Sequence, residues 1–464
     1  MTEVKDGTAP RGWAMCPLDS LRSPEPGSFV DGPFGSNLKT EHYTKDGPRV
    51  IRLENVGDGV FRDTETHVGL DHFERLRRHE ARAGDVAIAL LGDPVPRACV
   101  VPDRVGPAIV KADCPRLRPD PRLALPEFLA YALNSEQVRS QAKVLVHGVG
   151  RPRLRLSELR GLTISLPPLA EQRRIVKALE THFTRLDAAV ATLQRVRANL
   201  KRYRAAILQA AVEGRLTGHV RGGAEPLIGW PKKTIADITT HLTSGSRDWS
   251  AYYGRGTATF LMAQNVRPGR LDLSFRQLVD PPRDDASRSR SQVHAGDLLV
   301  TIVGANTGNV CLVSHELPEH YVCQSVALMR PRENVLPQFL DYYLNSPLGQ
   351  RQYAEFMYGA GRPHLSFEQL RSTMVSLPPL EEQRQIVAAA DELLSDAAAT
   401  EQSIDVSVVR IARLRQSLLR VAFDGHLVSQ DPRDEPASVL LDRIRTARAA
   451  ESSVPKRKPA RSRR

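Results

Sequence analysis

Leu166-Pro-Pro-Leu-Ala-Glu-Gln-Arg-Arg-Ile-Val176 returns 211 residues later as Leu377-Pro-Pro-Leu-Glu-Glu-Gln-Arg-Gln-Ile-Val387. The same shift, without a gap, aligns Leu125-Pro-Glu-Phe-Leu-Ala-Tyr-Ala-Leu-Asn-Ser135 with Leu336-Pro-Gln-Phe-Leu-Asp-Tyr-Tyr-Leu-Asn-Ser346. It also pairs Gly148-Val-Gly-Arg-Pro-Arg-Leu154 with Gly359-Ala-Gly-Arg-Pro-His-Leu365. Across residues 125–176, 26 of 52 positions are identical, so the chain is a tandem duplication. The shift is still 211 at Gly214-Arg-Leu216 and Gly425-His-Leu427, so the intervening segment has one length in both halves. Upstream the match loosens: Gly35-Ser36 pairs with Gly245-Ser246, Asn55-Val56 with Asn265-Val266, and Ala83-Gly-Asp85 with Ala295-Gly-Asp297. A divergent front and a well-matched back in each half suggest two modules doing one job on different targets.

The matched back is helical. No Pro or Gly occurs from 169 to 213. Leu179, Phe183, Leu186, Val190, Leu193, Val196, Leu200, Tyr203 and Ile207 recur at spacings of three and four. Ile404, Val408, Ile411, Leu414, Leu418 and Val421 repeat the pattern in the second half. That spacing lays an apolar seam along one helix face, as in a coiled coil. Pro167-Pro168 and Pro378-Pro379 start the two helices, Glu171 and Glu381-Glu382 favour the positive end of each dipole, and Gly214 and Gly425 are natural C-caps. The first helix would run roughly 65 Å. The fronts read as strands (49–56 and 85–91, then 259–266 and 297–303) bounded by Gly, Pro and Asp, followed by helices over 126–137 and 337–348 that open on Pro. The sequence therefore predicts an α/β (α+β) protein with two α/β modules, each followed by a long helix. The two helices would pair as an antiparallel coiled coil with pseudo-two-fold symmetry.

Composition narrows the function. The 464 residues are 41% hydrophobic, and no apolar run reaches membrane-spanning length. With a polar, mixed-charge start, this predicts a cytoplasmic protein with no membrane partner. The five scattered cysteines form no C-x-x-C pair and read as bystander thiols. Of the net charge of +12, +6 sits in residues 455–464. A modestly basic body is compatible with DNA. Catalytic motifs are missing. Gly32-Pro-Phe-Gly-Ser-Asn-Leu-Lys39 lacks P-loop spacing, and Asp280-Pro-Pro-Arg283 lacks the aromatic an adenine methyltransferase stacks on its flipped base. Neither H-E-x-x-H nor G-x-S-x-G occurs. Binding is the better class, and no metal or catalytic residue is expected.

Two divergent modules, each followed by a long helix entered through Leu-Pro-Pro-Leu-x-Glu-Gln, resemble the specificity subunits of type I restriction–modification enzymes. Residues 12–429 carry the resemblance. Pro10-Arg-Gly-Trp13 and Pro226-Leu-Ile-Gly-Trp230 look like the family's module openers, and Phe34-Gly-Ser-Asn37 and Thr243-Ser-Gly-Ser246 like its first loop. Gly84-Asp85 and Gly296-Asp297 look like its central hairpin. Cys323-Gln-Ser-Val-Ala-Leu-Met-Arg-Pro331 is family-like, whereas the first half departs there with Cys114-Pro-Arg-Leu-Arg-Pro119.

The resemblance implies target-recognition domains at 12–168 and 226–379, spacer helices at 169–217 and 380–428, and a basic, largely disordered tail at 429–464 in which only 439–450 looks helical. Each domain would read one half of a bipartite, asymmetric site on double-stranded DNA, and the helices would dock two methylation subunits. Two motor–nuclease restriction subunits would join them. This chain would be non-catalytic and bind no cofactor, its partners using S-adenosylmethionine, ATP and Mg. A rigid spacer makes two half-site contacts act as one event, with half-site centres about one helical turn or roughly 10 bp apart. Bases would be read in the major groove by loop side chains. Candidates are Ser36, Asn37, Lys39, Arg52 and Asn55 in the first module, with Arg151 and Arg153 of its Arg-Pro loop. Ser246, Arg247, Gln264, Asn265, Arg362 and His364 are their counterparts in the second. Arg151 and Arg362 could instead pin each module to its own helix. The tail is expected to be dispensable for specificity. The competing reading is a coiled-coil scaffold or anti-phage accessory protein that does not read DNA sequence.

Overall fold

A computed structural model describes residues 10–148, 150–217, 229–245, 248–283, 286–359 and 361–453. The chain divides into two compact units, Met1–Ala191 with Ser407–Arg464, and Thr192–Val406. The cuts fall inside the two long helices, Leu169–Val212 and Leu380–Phe423, each of 44 residues. Each unit therefore holds one front module and one half of each long helix.

In the first unit, one four-stranded antiparallel sheet runs Phe29–Val30, Arg116–Leu117, Val86–Ala89, Arg97–Val100. A second sheet runs His67–Val68, Tyr43–Ile51, Ala108–Val110, Glu80–Ala81, its central pair parallel. The second unit repeats this plan. Thr239–Ser244, Val326–Pro331, Leu298–Thr301 and Val310–Leu312 form one sheet, and Gln277–Val279, Tyr253–Leu261 and His320–Val322 the other, again with a parallel pair. Val86–Ala89 and Leu298–Thr301 fall inside the strands expected over 85–91 and 297–303, whereas Tyr43–Ile51 and Tyr253–Leu261 begin six residues and end five residues before those expected over 49–56 and 259–266. The helix expected over 126–137 is two helices, Pro126–Leu133 and Glu136–Lys143. Asn134 ends the first, its carboxamide bonding both Ala98 N and Ala98 O, and the Ser135 hydroxyl caps the second. The second module breaks likewise, at Asn345–Ser346.

The repeated motif fastens module to helix. Ala14–Pro17 pairs with Thr163–Leu166, and Lys232–Thr234 with Met374–Ser376, so each module is entered and left on adjacent strands. The helix starts there. The Glu of Leu-Pro-Pro-Leu-x-Glu-Gln accepts from the opener's tryptophan: Trp13 Nε1 to Glu171 at 3.1 Å, Trp230 Nε1 to Glu382 at 3.2 Å. Burial pushes the Glu171 carboxyl above its ordinary value, opposed by that tryptophan bond. The Gln ties the helix start to the loop before the Pro-led helix. Gln172 accepts from Leu125 N and donates to Leu123 O and Pro167 O; Gln383 does the same with Leu336, Asn334 and Pro378. These are buried amides, whose loss would strand backbone groups without water. The Ala-Gly-Asp motif is another latch. Buried Asp85 takes a bidentate bond from Arg118 at 2.8 and 2.9 Å, and buried Asp297 one from Arg330 at 2.7 and 2.8 Å.

Within each unit the helix halves pack beside each other and beside the module. In the first, Leu179 and Phe183 share a core with Leu419, Phe423 and Phe128. Arg415 lies over the Phe183 ring at 4.3 Å and ion-pairs with Asp187. In the second, Ile207, Ala211 and Val212 share a core with Ile386, Val387 and Ala390. There Arg197 pairs with Asp405, and Arg204 with Glu401 at 2.9 Å, so the two halves run antiparallel. The apolar seam is buried at its module ends and thins between them. Val196, Tyr203 and Leu414 are 38%, 45% and 46% exposed, because two helices cover only one stripe of each other.

The tail holds the helix expected over 439–450, but docked on the first module and not free within a disordered segment. Ala437–Ser453 is a helix whose Ala437, Leu440 and Ile444 are buried in the first unit's core. Arg448 donates to Arg22 O and to buried Asp120, both at 2.8 Å, and Arg174 bonds Asp434 at 2.7 Å. Apolar spacing at 437, 440 and 444 is what lets this segment fold onto the module rather than stay in water. The basic stretch 455–464 lies outside the described residues. All five cysteines are free and buried. Among the described residues no helix is long and apolar enough to cross a membrane, and no group of His, Cys, Asp and Glu is placed to hold a metal.

Candidate nucleic-acid interface

The predicted site residues that are described fall into loops at the strand ends and into two buried positions. The Arg-Pro loop is a hairpin laid against the end of the central strand. In the first module His147 and Arg153 exchange backbone bonds, Gly92 N donates to Pro152 O, and Leu154 N to Leu90 O. In the second, Tyr358 and His364 exchange bonds, Gly304 N donates to Pro363 O, and Leu365 N to Ile302 O. The same main-chain bonds hold both hairpins, while their side-chain contacts differ: His147 pairs with Glu158 in the first, and the Thr307 hydroxyl donates to Pro363 O in the second. Arg151 and Arg362 are exposed, and neither is among the ion pairs of the described residues.

The first loop approaches the hairpin in the first module. Gly32 is required there, because a Cβ would lie 2.1 Å from the Lys111 carbonyl carbon. The chain then presents exposed Phe34, Ser36 and Asn37, with the Asn37 carboxamide donating to Phe34 O at 3.1 Å. The Arg153 guanidinium lies 5.7 Å over the Phe34 ring and ion-pairs with Asp113 at 2.6 Å. Ser36, Asn37 and Arg153 therefore come together. Burial lifts the Asp31 carboxyl beside them to about 6, with nearby Asp113 adding to the rise and the Gly32 N–H and Arg153 opposing it. In the second module the close-packed glycine is Gly245, which presses on Val322 and Cys323 as Gly32 presses on Lys111. The structural partner of Gly245 is thus Gly32, not Gly35 as the sequence pairing suggests. Ser246 and Arg247 lie outside the described residues. Arg362 and His364 line a cavity of about 290 Å³ with Val303, Gln324 and Ser325.

Lys39 is exposed and paired with Glu41 at 3.4 Å. Arg52 stands apart from the Phe34 loop, bonded to Thr66 Oγ1 and Glu54 and 5.9 Å over the Tyr43 ring. Lys111 joins it there, donating to the Tyr43 hydroxyl at 2.7 Å. Nothing in the sequence singles out Lys111, because its partner is 68 positions away. Gln264 is exposed.

Asn55 and Asn265 are not available to DNA. Each is 1% exposed. The Asn55 amide accepts from Arg52 N and donates to Arg62 O and Thr64 O; the Asn265 amide accepts from Met262 N and donates to Asp272 O and Phe275 O. They pin the turn after the long strand in both modules. Replacing either with alanine strands three buried backbone groups, so a loss of about 2–3 kcal/mol is expected. Thermal melting would read this as a lower midpoint, while the bases selected by protein that remains folded stay the same.

Residues 101–196 and 287–406 match the family model described as the type I restriction modification DNA specificity domain. The EcoKI specificity subunit of Escherichia coli K12 is 26% identical over 465 residues, covering 96% of this chain and 97% of that one. The EcoBI specificity subunit of Escherichia coli is 29% identical over 316 residues, covering 63% of this chain and 66% of that one. A solved chain, from work on complex assembly and conformational transition of the type I R-M system, shares the fold at a TM-score of 0.63. It is 22% identical, with 90% of this chain and 99% of that chain covered. With the duplicated modules, their Trp–Glu and Gln latches and the paired 44-residue helices, these matches place a type I restriction modification DNA specificity domain in each half of the chain and make the whole similar to the specificity subunits of type I restriction–modification systems.

Proposed function

We propose that the chain reads a bipartite, asymmetric site on double-stranded DNA, one half with each front module, and directs adenine methylation there. One observation carries this reading: two modules built on the same four-stranded sheet, the same parallel pair and the same latches differ in their exposed loops, where Phe34, Ser36 and Asn37 have no identical counterparts in the second. Duplication that keeps the latches while the fronts diverge fits readers of two different half-sites and gives a scaffold no advantage. Phosphate contacts would set the register of each module, and base contacts would specify. Ser36, Asn37, Arg151 and Arg153 are the proposed contacts of the first module, and Gln264, Arg362 and His364 those of the second. Lys39 and Arg52, with Lys111, suit the phosphate backbone, which cations neutralise without regard to sequence.

The chain itself is the non-catalytic member of its complex. Two methylation subunits using S-adenosylmethionine would dock on the paired helices, whose half-exposed seam offers apolar area, and two motor–nuclease subunits using ATP and Mg would complete the assembly in the cytoplasm. The test is genome-wide adenine methylation in strains with and without this gene. Loss of one bipartite motif on deletion is expected; an unchanged methylation pattern would sink the reading. Purified alone with S-adenosylmethionine, the chain should leave DNA unmethylated.

A further inference from the structure

We infer that Arg153, held by Asp113 and Phe34, reads a guanine in the half-site of the first module, and that Ser325 and His364 at the equivalent positions give the second module a different base there. The inference rests on the half-site reading above.

The equivalence is set by main chain, not by alignment. Leu90 N donates to Asp113 O as Ile302 N donates to Ser325 O, both at 2.9 Å. Lys111 N donates to Ile51 O as Cys323 N donates to Leu261 O, again at 2.9 Å. Leu91 bridges to Arg153 as Val303 bridges to His364. One backbone frame thus carries an acid and an arginine in one module, and a hydroxyl and an imidazole in the other.

Asp113 holds a place only a few residue types accept. Among the described residues it alone of the non-glycines has positive φ, at 65°. Aspartate and asparagine tolerate that region better than most, and such backbones cluster at working sites. The carboxylate faces Arg153 at 2.6 Å, and the Phe34 ring takes one face of the guanidinium. The Arg153 side chain is still 48% exposed, and among the described residues Asp113 is its one carboxylate within ion-pair distance. Asp113 and Phe34 therefore flank the planar fork and restrict its rotamers before DNA arrives, while donors remain for a partner. A fixed arginine fork matches the O6 and N7 acceptors of guanine in the major groove. A lysine, a point charge on a flexible stem, does not. In the second module no acid stands at this position. Ser325, Gln324, His364 and Arg362 instead border an open cavity of about 290 Å³.

Arg153 would be the reading residue and Asp113 a positioning residue. The test is selection of random duplexes by the full chain assembled with its methylation subunits, followed by sequencing of the bound DNA. The variants are Arg153→Ala, Arg153→Lys and Asp113→Asn. Wild type is expected to select a guanine at a fixed position of one half-site. Arg153→Ala should cost roughly ten- to hundred-fold in preference for that guanine and leave the other half-site intact. Arg153→Lys should not restore it. Asp113→Asn keeps the size and the left-handed backbone but removes the charge. It should weaken the same preference several-fold with an unchanged melting temperature, which a merely structural role would not do. Preferences unchanged in Arg153→Ala, or affinity lost equally for every sequence, would overturn the inference and leave the half-site reading standing. A wild type that selects no bipartite consensus would overturn both.

Discussion

Deleting residues 437–464 is expected to unfold the first front module while the second stays folded. The helix Ala437–Ser453 buries Ala437, Leu440 and Ile444 in the core that holds Trp13, Leu18 and Phe128. Burying a large aliphatic side chain is worth about 1.5–3 kcal/mol, so Leu440 and Ile444 together contribute roughly 3–6 kcal/mol. The bond from Arg448 to buried Asp120 is charge-assisted and adds to this. Asp120 is held at about 2, below the carboxylate range, by Arg122 and Arg448 against the cost of burial, and its remaining partner after truncation is half exposed. A domain of this kind is stable by only about 5–15 kcal/mol, so the deletion removes a large share. Hydrogen exchange would show protection lost over residues 29–117 and kept over residues 239–331. Recognition of one half-site should go with it. Deleting only residues 455–464 removes six cations and none of the docked helix, so it should weaken binding to all DNA alike and flatten the salt dependence. Equal protection in full-length and 437–464-deleted protein would show that the helix merely rests on the module.

How much of this was legible depended on how far apart the partners lie in the chain. The long helices were readable because their signals are local: a proline pair at the start, an apolar seam, a glycine after the end. Their bounds came within a few residues. The latches were half readable. The motif Leu-Pro-Pro-Leu-x-Glu-Gln stood out by repetition, but its Glu looked like a dipole partner. Its true partner, Trp13, lies 158 positions away. Asn55 and Asn265 misled for a chemical reason. The same amide that reads adenine also caps turns, and one sequence cannot separate an exposed amide from a buried one. The tail was misjudged because its charge and prolines outweighed three apolar residues whose binding surface is in the first module. Asp113, Phe34 and Arg153 come from three separate stretches, and only the folded backbone shows that Asp113 and Ser325 occupy one position.

The central claim is that two readers are joined through a pair of helices that sets the gap between half-sites. Arg197 pairs with Asp405, so Ala198 and Asp405 mark nearly opposite points on the two helices. Four residues inserted at both points extend the pair by about 6 Å, close to one or two base-pair steps. They also turn it by about 40°, near the twist of one base pair, so both modules can still face the duplex. Neither module surface is touched. Methylome sequencing of a strain carrying the doubly inserted gene tests this directly. The account predicts the same bases in each half-site, separated by a gap longer by one or two base pairs. The original gap, methylated at full efficiency, would contradict it.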